Sequence, residues 1–388
     1  MAYRATVLLA LSGLASLSNA KPIHSYSSTE SSDGHYSTMT SSSGYSAFSS
    51  YQSFPTQVAS SKDLLLSNGF PNLSPSALAD VNNAAHGTLS NASAGNITFP
   101  ADSLTNFQLI AFNELFEVAF FTSLLTNITT GVPGFEIPAH LNSTYIIDTL
   151  IAVQAQEELH AINANTKLPK PLQTCQYKFP TAKFDDAIAL AATFTDVVLG
   201  TLQDVSMIFA ADGENGVVQA VASVIGQEGE QNGFYRSLQN KIPSAQPFLT
   251  ASARDFAFSA LNQNFVVPGS CDISGIDLKV FEVLTLETPN VELGDQTISL
   301  SFDTSNYHGA PEDLEFVLIS GQNVPIVQDL KNVKQDSKKV TFDADFLQQT
   351  DLLFGLTIGA VVRQGQPLAN ADQVADAAVF GPALIEVA

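Results

Sequence analysis

The run of residues 144–163 contains neither proline nor glycine, and its apolar side chains recur at steps of three and four residues. On an α-helix these steps line up on one face, and here that apolar face ends in a carboxylate and an imidazole, Glu157 and His160. A Glu and a His three residues apart on the inner face of a helix make up half of a carboxylate-bridged dimetal site. The alternative is a half-exposed helix end on which both side chains face water.

Apolar periodicity and the turn residues that flank it predict three further long helices. They cover residues 102–126, 182–211 and 216–240, and the first begins with a helix-cap signal at Asp102 and Ser103. With the run above, they form two helical hairpins joined by a longer connection. This order predicts a ferritin-like antiparallel four-helix bundle with a long crossover, within residues 62–272.

Both predicted hairpins place acidic residues on their inner faces. Glu114 and Glu157 lie at similar distances from the turn of the first hairpin, so antiparallel helices bring them to the same height. In the second hairpin, Asp196 is the nearest acidic residue to the corresponding height, and Gln231 stands where the first motif has its histidine. The candidate metal ligands and supporting residues are Glu114, Glu117, Glu157, His160, Asp196, Glu228 and Gln231.

Hard carboxylate oxygens combined with an imidazole predict iron or manganese as the metal. Because Gln231 replaces one imidazole, three arrangements remain open. The site is an asymmetric dimetal centre, a single metal at Glu114, Glu157 and His160, or a relic whose buried carboxylates are satisfied by hydrogen bonds.

The residue pattern changes after residue 272, where short β-type runs alternate with Gly, Asn, Asp and Pro. The runs are residues 280–284, 297–302, 314–319, 340–342 and 353–358. Regular short strands with turn signals predict an antiparallel β-sandwich over residues 273–388. The expected fold class is therefore α+β and multidomain.

The N-terminus indicates a secreted or wall-associated protein. Residues 1–20 have the early arginine, apolar stretch and small-residue cleavage site of a signal peptide. Residues 21–61 are dominated by Ser, Thr and Tyr, which predicts a disordered, O-glycosylated arm. The Asn-x-Ser/Thr acceptors for N-glycosylation are Asn72, Asn91, Asn96, Asn127 and Asn142.

The cysteines bear on the compartment in which the protein folds, and the net charge limits the classes of partner that it can bind. In an oxidising compartment the two cysteines, Cys175 and Cys271, are expected to pair with each other. The formal net charge of −22 argues against nucleic acid and against an anionic membrane surface. After residue 20, no segment is expected to span a membrane.

The residues 113–117 and 157–160 resemble the first two helices of ferritin-like proteins. From residue 62 onward the chain resembles the fungal secreted proteins called late sexual development or stress-response proteins, including the run 225–231. That resemblance implies a ferritin-like domain and a role in development or stress, without an established reaction. The chain departs from the ferritin-like pattern at Gln231 and in lacking the usual glutamate of the third helix.

A second interpretation belongs to a different functional class. The Ser-rich arm and the glycosylation acceptors suit a cell-wall or matrix protein in which the bundle is a scaffold and the β region binds wall components. Oligomeric state remains open in both interpretations.

Overall fold

Among the residues that the structure describes, those before residue 272 are mainly helical and those after it form mainly antiparallel sheets, which confirms the predicted α+β class. The computed structural model describes residues 58–59, 68–91 and 98–387. The described helices are α1 (Pro75–Ala84), α2 (Ala101–Thr129), α3 (Ser143–Asn165), α4 (Phe184–Ala211), α5 (Asn215–Leu238), α6 (Arg254–Asn264) and α7 (Ala371–Ala377). The described strands are β1 (Val58–Ala59), β2 (Tyr177–Lys178), β3 (Leu284–Leu286), β4 (Asp295–Asp303), β5 (Leu314–Ser320), β6 (Ile326–Asp329), β7 (Lys331–Asp336), β8 (Lys339–Leu347), β9 (Gly355–Arg363) and β10 (Ala378–Val387).

Local signals set the ends of the long helices. Asn142 caps α3, because its Oδ1 accepts a hydrogen bond from a backbone N–H in the first turn. Beyond the end of α4, Gly213 adopts a φ of 86°, which favours glycine. α2 extends beyond its predicted end, and Ser103, predicted at its N-terminal cap, instead donates a hydrogen bond to Asp212 in the turn between α4 and α5.

The long helices pack in pairs around an aromatic core. α2 packs against α3, α4 packs against α5, and α2 also contacts α4 and α6. The fully buried ring of Phe116 on α2 lies 5.2 Å from the ring of Phe194 and 4.8 Å from that of Phe265. The described residues form seven helices in all, and the four-helix bundle stays a prediction.

Two of these helices correct an expectation from the sequence. α2 and α4 are long and apolar enough to cross a membrane by length and composition alone, although no such segment was expected after residue 20. Their most apolar windows are 72% and 89% buried inside the protein. Packing within the fold therefore accounts for their apolar surface.

The second half contains two four-stranded antiparallel sheets, with strand orders β10-β9-β5-β6 and β3-β4-β8-β7. Their facing sides form a shared core, in which the rings of Phe316 and Phe342 lie 5.6 Å apart. The opposite side of the first sheet packs against α4, α6 and α7 through Val197, Phe256 and Val374. β9 is consequently buried along almost its whole length, whereas burial along β8 alternates.

Most predicted strand runs are present, with different boundaries. Four of the runs correspond to β4, β5, β8 and β9, but the run 280–284 contributes only Leu284 to a strand, β3. Sequence reasoning did not predict β6, β7, β10 or α7.

Cys175 and Cys271 form a disulfide, as predicted. The bond links the connection between α3 and α4 to the segment that follows α6, and it closes a sequence separation of 96 residues. A disulfide of this kind suggests folding in an oxidising compartment.

The glycosylation acceptors lie in different environments. Asn72, Asn91 and Asn142 are exposed. Asn127 lies inside α2 and is only 9% exposed, although it was predicted to lie in a loop. Asn96, the predicted signal peptide and most of the predicted arm lie outside the described residues; within the arm, β1 pairs with β2 although disorder was expected there.

Candidate metal centre

Three helices bring predicted acidic and imidazole side chains together in the helical half. α2 carries Glu114, α3 carries Glu157 and His160, and α5 carries Glu228. One potential ligand atom from each of these residues lies within 4.8 Å of the others, and we call them the carboxylate–histidine cluster. The glutamates are fully buried, whereas the side chain of His160 is 18% exposed, so the cluster meets solvent through its imidazole.

One ring nitrogen of His160 faces all three carboxylates. Its Nδ1 lies 2.9 Å from Glu157 Oε2, 3.6 Å from Glu114 Oε2 and 3.9 Å from Glu228 Oε1. His160 and Glu157 are one helical turn apart on α3, and the other carboxylates arrive from α2 and α5. The imidazole therefore lies at the point where the helices converge.

Several oxygen atoms of the cluster have no hydrogen-bond donor within the described residues. Both carboxylate oxygens of Glu228 and Oε2 of Glu114 are buried and unpartnered. The hydroxyl of Tyr235, a fully buried residue on α5, is also unpartnered. Leaving a buried polar group unpaired costs about 1–3 kcal/mol, and more for a charge. A cation held by the carboxylate oxygens of Glu114 and Glu228 would offset that cost.

The electrostatics of the cluster follow from its burial. Burial raises the pKa of Glu114 to about 7, even though His160 lowers it. Burial and the neighbouring carboxylates raise the pKa of Glu228 well above its usual value. Burial alone would lower the pKa of His160, but the charges of Glu157 and Glu114 raise it well above the usual range. Protons therefore reduce the negative charge of the cluster in the absence of another cation.

Glu117 lies one helical turn beyond Glu114, flanking the cluster. It is 1% exposed, and its Oε1 accepts a hydrogen bond of 2.7 Å from Asn113 Nδ2. Burial, followed by the charges of Glu157 and Glu228, raises the pKa of Glu117 well above normal. Its position fits the supporting role predicted from the sequence.

Gln231 contacts a cluster carboxylate directly. Its Nε2 donates to Glu157 Oε1 at 2.7 Å, and its own Oε1 is buried without a donor. The side chain that replaces the second imidazole of the motif therefore acts as a hydrogen-bond donor to the cluster.

Asp196, a candidate supporting or bridging residue from the third long helix, is not among the four residues of the carboxylate–histidine cluster. Its Oδ1 accepts a hydrogen bond of 2.7 Å from Asn232 Nδ2, and its carboxyl faces that of Glu386 on β10. Glu386 in turn pairs with Arg236, with 3.0 Å between Nη1 and Oε1. Asp196 thus belongs to a second buried polar group, where α4 and α5 meet the sheet.

A narrow apolar pocket between α2 and α4 reaches one edge of the cluster. Its volume is about 20 Å³, and its walls include Leu109, Val198, Leu202 and Glu114. A space of this size holds about one water-sized molecule. The pocket therefore leaves room for about one small molecule beside Glu114.

Sequence reasoning missed several residues around the cluster. Tyr235 lies on the same helical stripe as Glu228 and Gln231, so the periodicity that identified them also contained it. Asn113 and Gln156 adjoin predicted ligands in sequence, but nothing in the pattern marks either side chain as a contact of the cluster.

The donor set suits a divalent cation that prefers oxygen ligands. Carboxylates from α2, α3 and α5 supply hard oxygens, and His160 supplies one nitrogen. Such a mixed oxygen and nitrogen set fits iron or manganese better than soft metals, which prefer sulfur. The unpartnered oxygens of Glu114 and Glu228 show that the described residues leave coordination positions free.

No protein-family model matches the sequence, and no match to it was found among the curated proteins.

Proposed function

We propose that this chain is a secreted glycoprotein whose helical half binds divalent iron or manganese at Glu114, Glu157, His160 and Glu228. In this proposal α2 to α5 form a ferritin-like bundle and the two sheets form a sandwich. A role in development or stress response follows from the resemblance to the fungal secreted proteins. The Cys175–Cys271 disulfide supports the secreted location.

One observation carries the proposal: Glu228 is fully buried, and neither of its carboxylate oxygens has a donor among the described residues. Glu114 and Glu157 add two further carboxylates within 4.8 Å, and a single imidazole opposes them. Burying one unpaired carboxylate is already costly, and like charges add to that cost. A divalent cation would neutralise the excess charge and use the free oxygens as ligands.

The surrounding residues would orient the ligands. Gln231 Nε2 holds Glu157 Oε1, which leaves Glu157 Oε2 directed at the imidazole. Asn113 holds Glu117 beside the cluster in the same way. Iron or manganese bound there would supply Lewis acidity and one-electron redox chemistry.

The test is metal content of the intact chain. Protein stripped with a chelator is dialysed against Mn(II), or against Fe(II) under nitrogen, and the retained metal is measured by mass spectrometry. Glu157→Gln and the double variant Glu157→Ala, His160→Ala are expected to lose metal, because both remove a buried ligand.

Glu158→Gln is the matched control. Glu158 adjoins Glu157 on α3 and is also buried, but it accepts a hydrogen bond from Asn68 and lies outside the cluster. This variant should retain as much metal as wild type. An equal trace of metal in wild type and the double variant would refute the proposal and favour the scaffold interpretation.

A further inference from the structure

A chain of side-chain amides connects the carboxylate–histidine cluster to the short helix α1. Gln156 Nε2 donates to the backbone carbonyl of Ala85, directly after α1, at 3.3 Å. Gln156 Oε1 accepts from Gln231 Nε2 at 3.1 Å, and that same Nε2 donates to Glu157 Oε1 at 2.7 Å. Gln227 Nε2 also donates to Gln156 Oε1, at 3.0 Å. The contacts therefore run without a gap from a main-chain carbonyl to a cluster carboxylate.

The hydrogen-bonding groups at the two ends of this series of amides allow only one orientation of its donors and acceptors. The Ala85 carbonyl only accepts hydrogen bonds, so Gln156 must turn its NH₂ toward it and its oxygen toward α5. That oxygen attracts the NH₂ of Gln231, which also meets Glu157. Turning Gln231 around would place oxygen against oxygen at both contacts, and turning Gln156 around would place oxygen against the Ala85 carbonyl and NH₂ against the NH₂ of Gln231. The orientation of Gln231 is thus determined from α1 as well as from Glu157.

α1 depends on packing for its position. It has ten residues, and isolated helices shorter than about 12–15 residues are marginal in water. It lies on α3, where Val81 and Ala85 contact Ala155 and Leu159. A small helix held by few contacts has a low free energy of local opening, so one additional hydrogen bond changes its stability appreciably.

We propose that Gln156 and Gln231 are positioning residues that couple the docking of α1 to metal binding at Glu157. This inference rests on the proposed function, because it concerns the regulation of the same site. With the amides in place, Glu157 Oε1 is held by Gln231 and only Oε2 faces His160. A metal then receives one oxygen from Glu157, and α1 is held more firmly when that carboxylate is fixed. Coupling of this kind is reciprocal.

The experiment measures amide hydrogen exchange of residues 75–84 by mass spectrometry, with and without Mn(II), in the full chain. Mn(II) is expected to slow exchange in α1 of the wild type by about tenfold, within the usual range of coupling between sites. In Gln156→Met, which keeps the length of the side chain but removes the amide, this metal-dependent protection should disappear while Mn(II) still binds.

Gln154→Met is the matched control, because Gln154 is a half-buried glutamine on the same helix that donates instead to Thr122. It should keep the protection. Co(II) provides a second readout: its visible spectrum should shift in Gln156→Met, where Gln231 loses one of its two acceptors and holds Glu157 Oε1 less firmly, and stay unchanged in Gln154→Met.

The outcomes separate the two proposals. If Mn(II) binds the wild type but does not protect α1, or protects it equally in Gln156→Met, the coupling is refuted and the metal site stands. If none of Mn(II), Fe(II) and Co(II) binds the wild type, both proposals fail.

Discussion

Replacing Glu228 with glutamine should change stability in opposite directions with and without metal. Glu228 is fully buried, both of its oxygens lack a donor in the described structure, and the acidic groups acting on it are Glu114 and Glu157. Glutamine keeps the shape, removes the charge and offers an NH₂ to those carboxylates. The metal-free variant should therefore gain about 1–3 kcal/mol of unfolding free energy at neutral pH. At about 2–4 °C per kcal/mol, the midpoint rises by several degrees.

With metal bound, wild type should be more stable than the variant. Wild type gains about 4.1 kcal/mol at a metal concentration of about 1,000 times Kd, more than the metal-free advantage of the variant, which has lost a ligand and gains little. Differential scanning calorimetry with and without Mn(II) measures both midpoints. Glu158→Gln controls for the loss of a buried carboxyl outside the cluster and should leave the metal-dependent shift intact.

The pH dependence gives an independent check on the metal-free comparison. Burial raises the pKa of Glu228 in the folded state well above the ordinary glutamate value of 4.5. Such a group contributes stability below pH 4.5 that is lost as the pH rises through the folded pKa. The advantage of Glu228→Gln should consequently be smallest in acid and grow toward neutral pH. A metal-free variant less stable than wild type at neutral pH would refute the view that burial in the cluster disfavours the ionised form of Glu228.

Three further predictions follow from the same structure. Replacing Cys175 and Cys271 with alanine should lower the unfolding free energy by about 4–5 kcal/mol in guanidinium titrations, because the bond closes 96 residues; an unchanged midpoint would contradict this. Mn(II) affinity should rise as the pH approaches 7, because burial raises the pKa of Glu114 to about 7 and the metal must displace protons; calorimetry that detects no proton release would argue against it. Phe116→Ala should lower the unfolding free energy by about 3–5 kcal/mol, and a loss below 1 kcal/mol would show a looser core than described.

Helical periodicity predicted the long helices well, because their buried faces repeat over many turns. Its errors lie where tertiary contacts override local signals. The sequence predicts Ser103 at a helix cap, but its hydroxyl donates a hydrogen bond to Asp212 in the distant turn between α4 and α5. Residues 280–283 have β-type side chains, yet Val280 and Val283 are 51% and 42% exposed and the strand begins only at Leu284.

The cluster residues were predictable because steps of three and four along a helix are a local property. Glu157, His160 and Glu228 all break apolar stripes, and the structure brings them together with Glu114. Counting residues from the helix ends predicts the height of Asp196 along its helix but not the direction of its side chain. Its partner Glu386 lies on the last strand, and no local pattern connects it to α4.

α5 separates two buried acidic groups that are neutralised in different ways. On one side, Asp196 and Glu386 have the cations of Arg236 and Lys241 beside them, so that group is balanced by the protein itself. On the other side, the charges acting on Glu228 come from Glu114, Glu157 and His160, and none comes from a described lysine or arginine. Buried carboxylates whose charge is already balanced by neighbouring arginine and lysine side chains gain little from binding a further cation. No lysine or arginine acts on Glu228 in the described structure, and this difference is why the carboxylate–histidine cluster, and not the group around Asp196, is expected to respond to a metal.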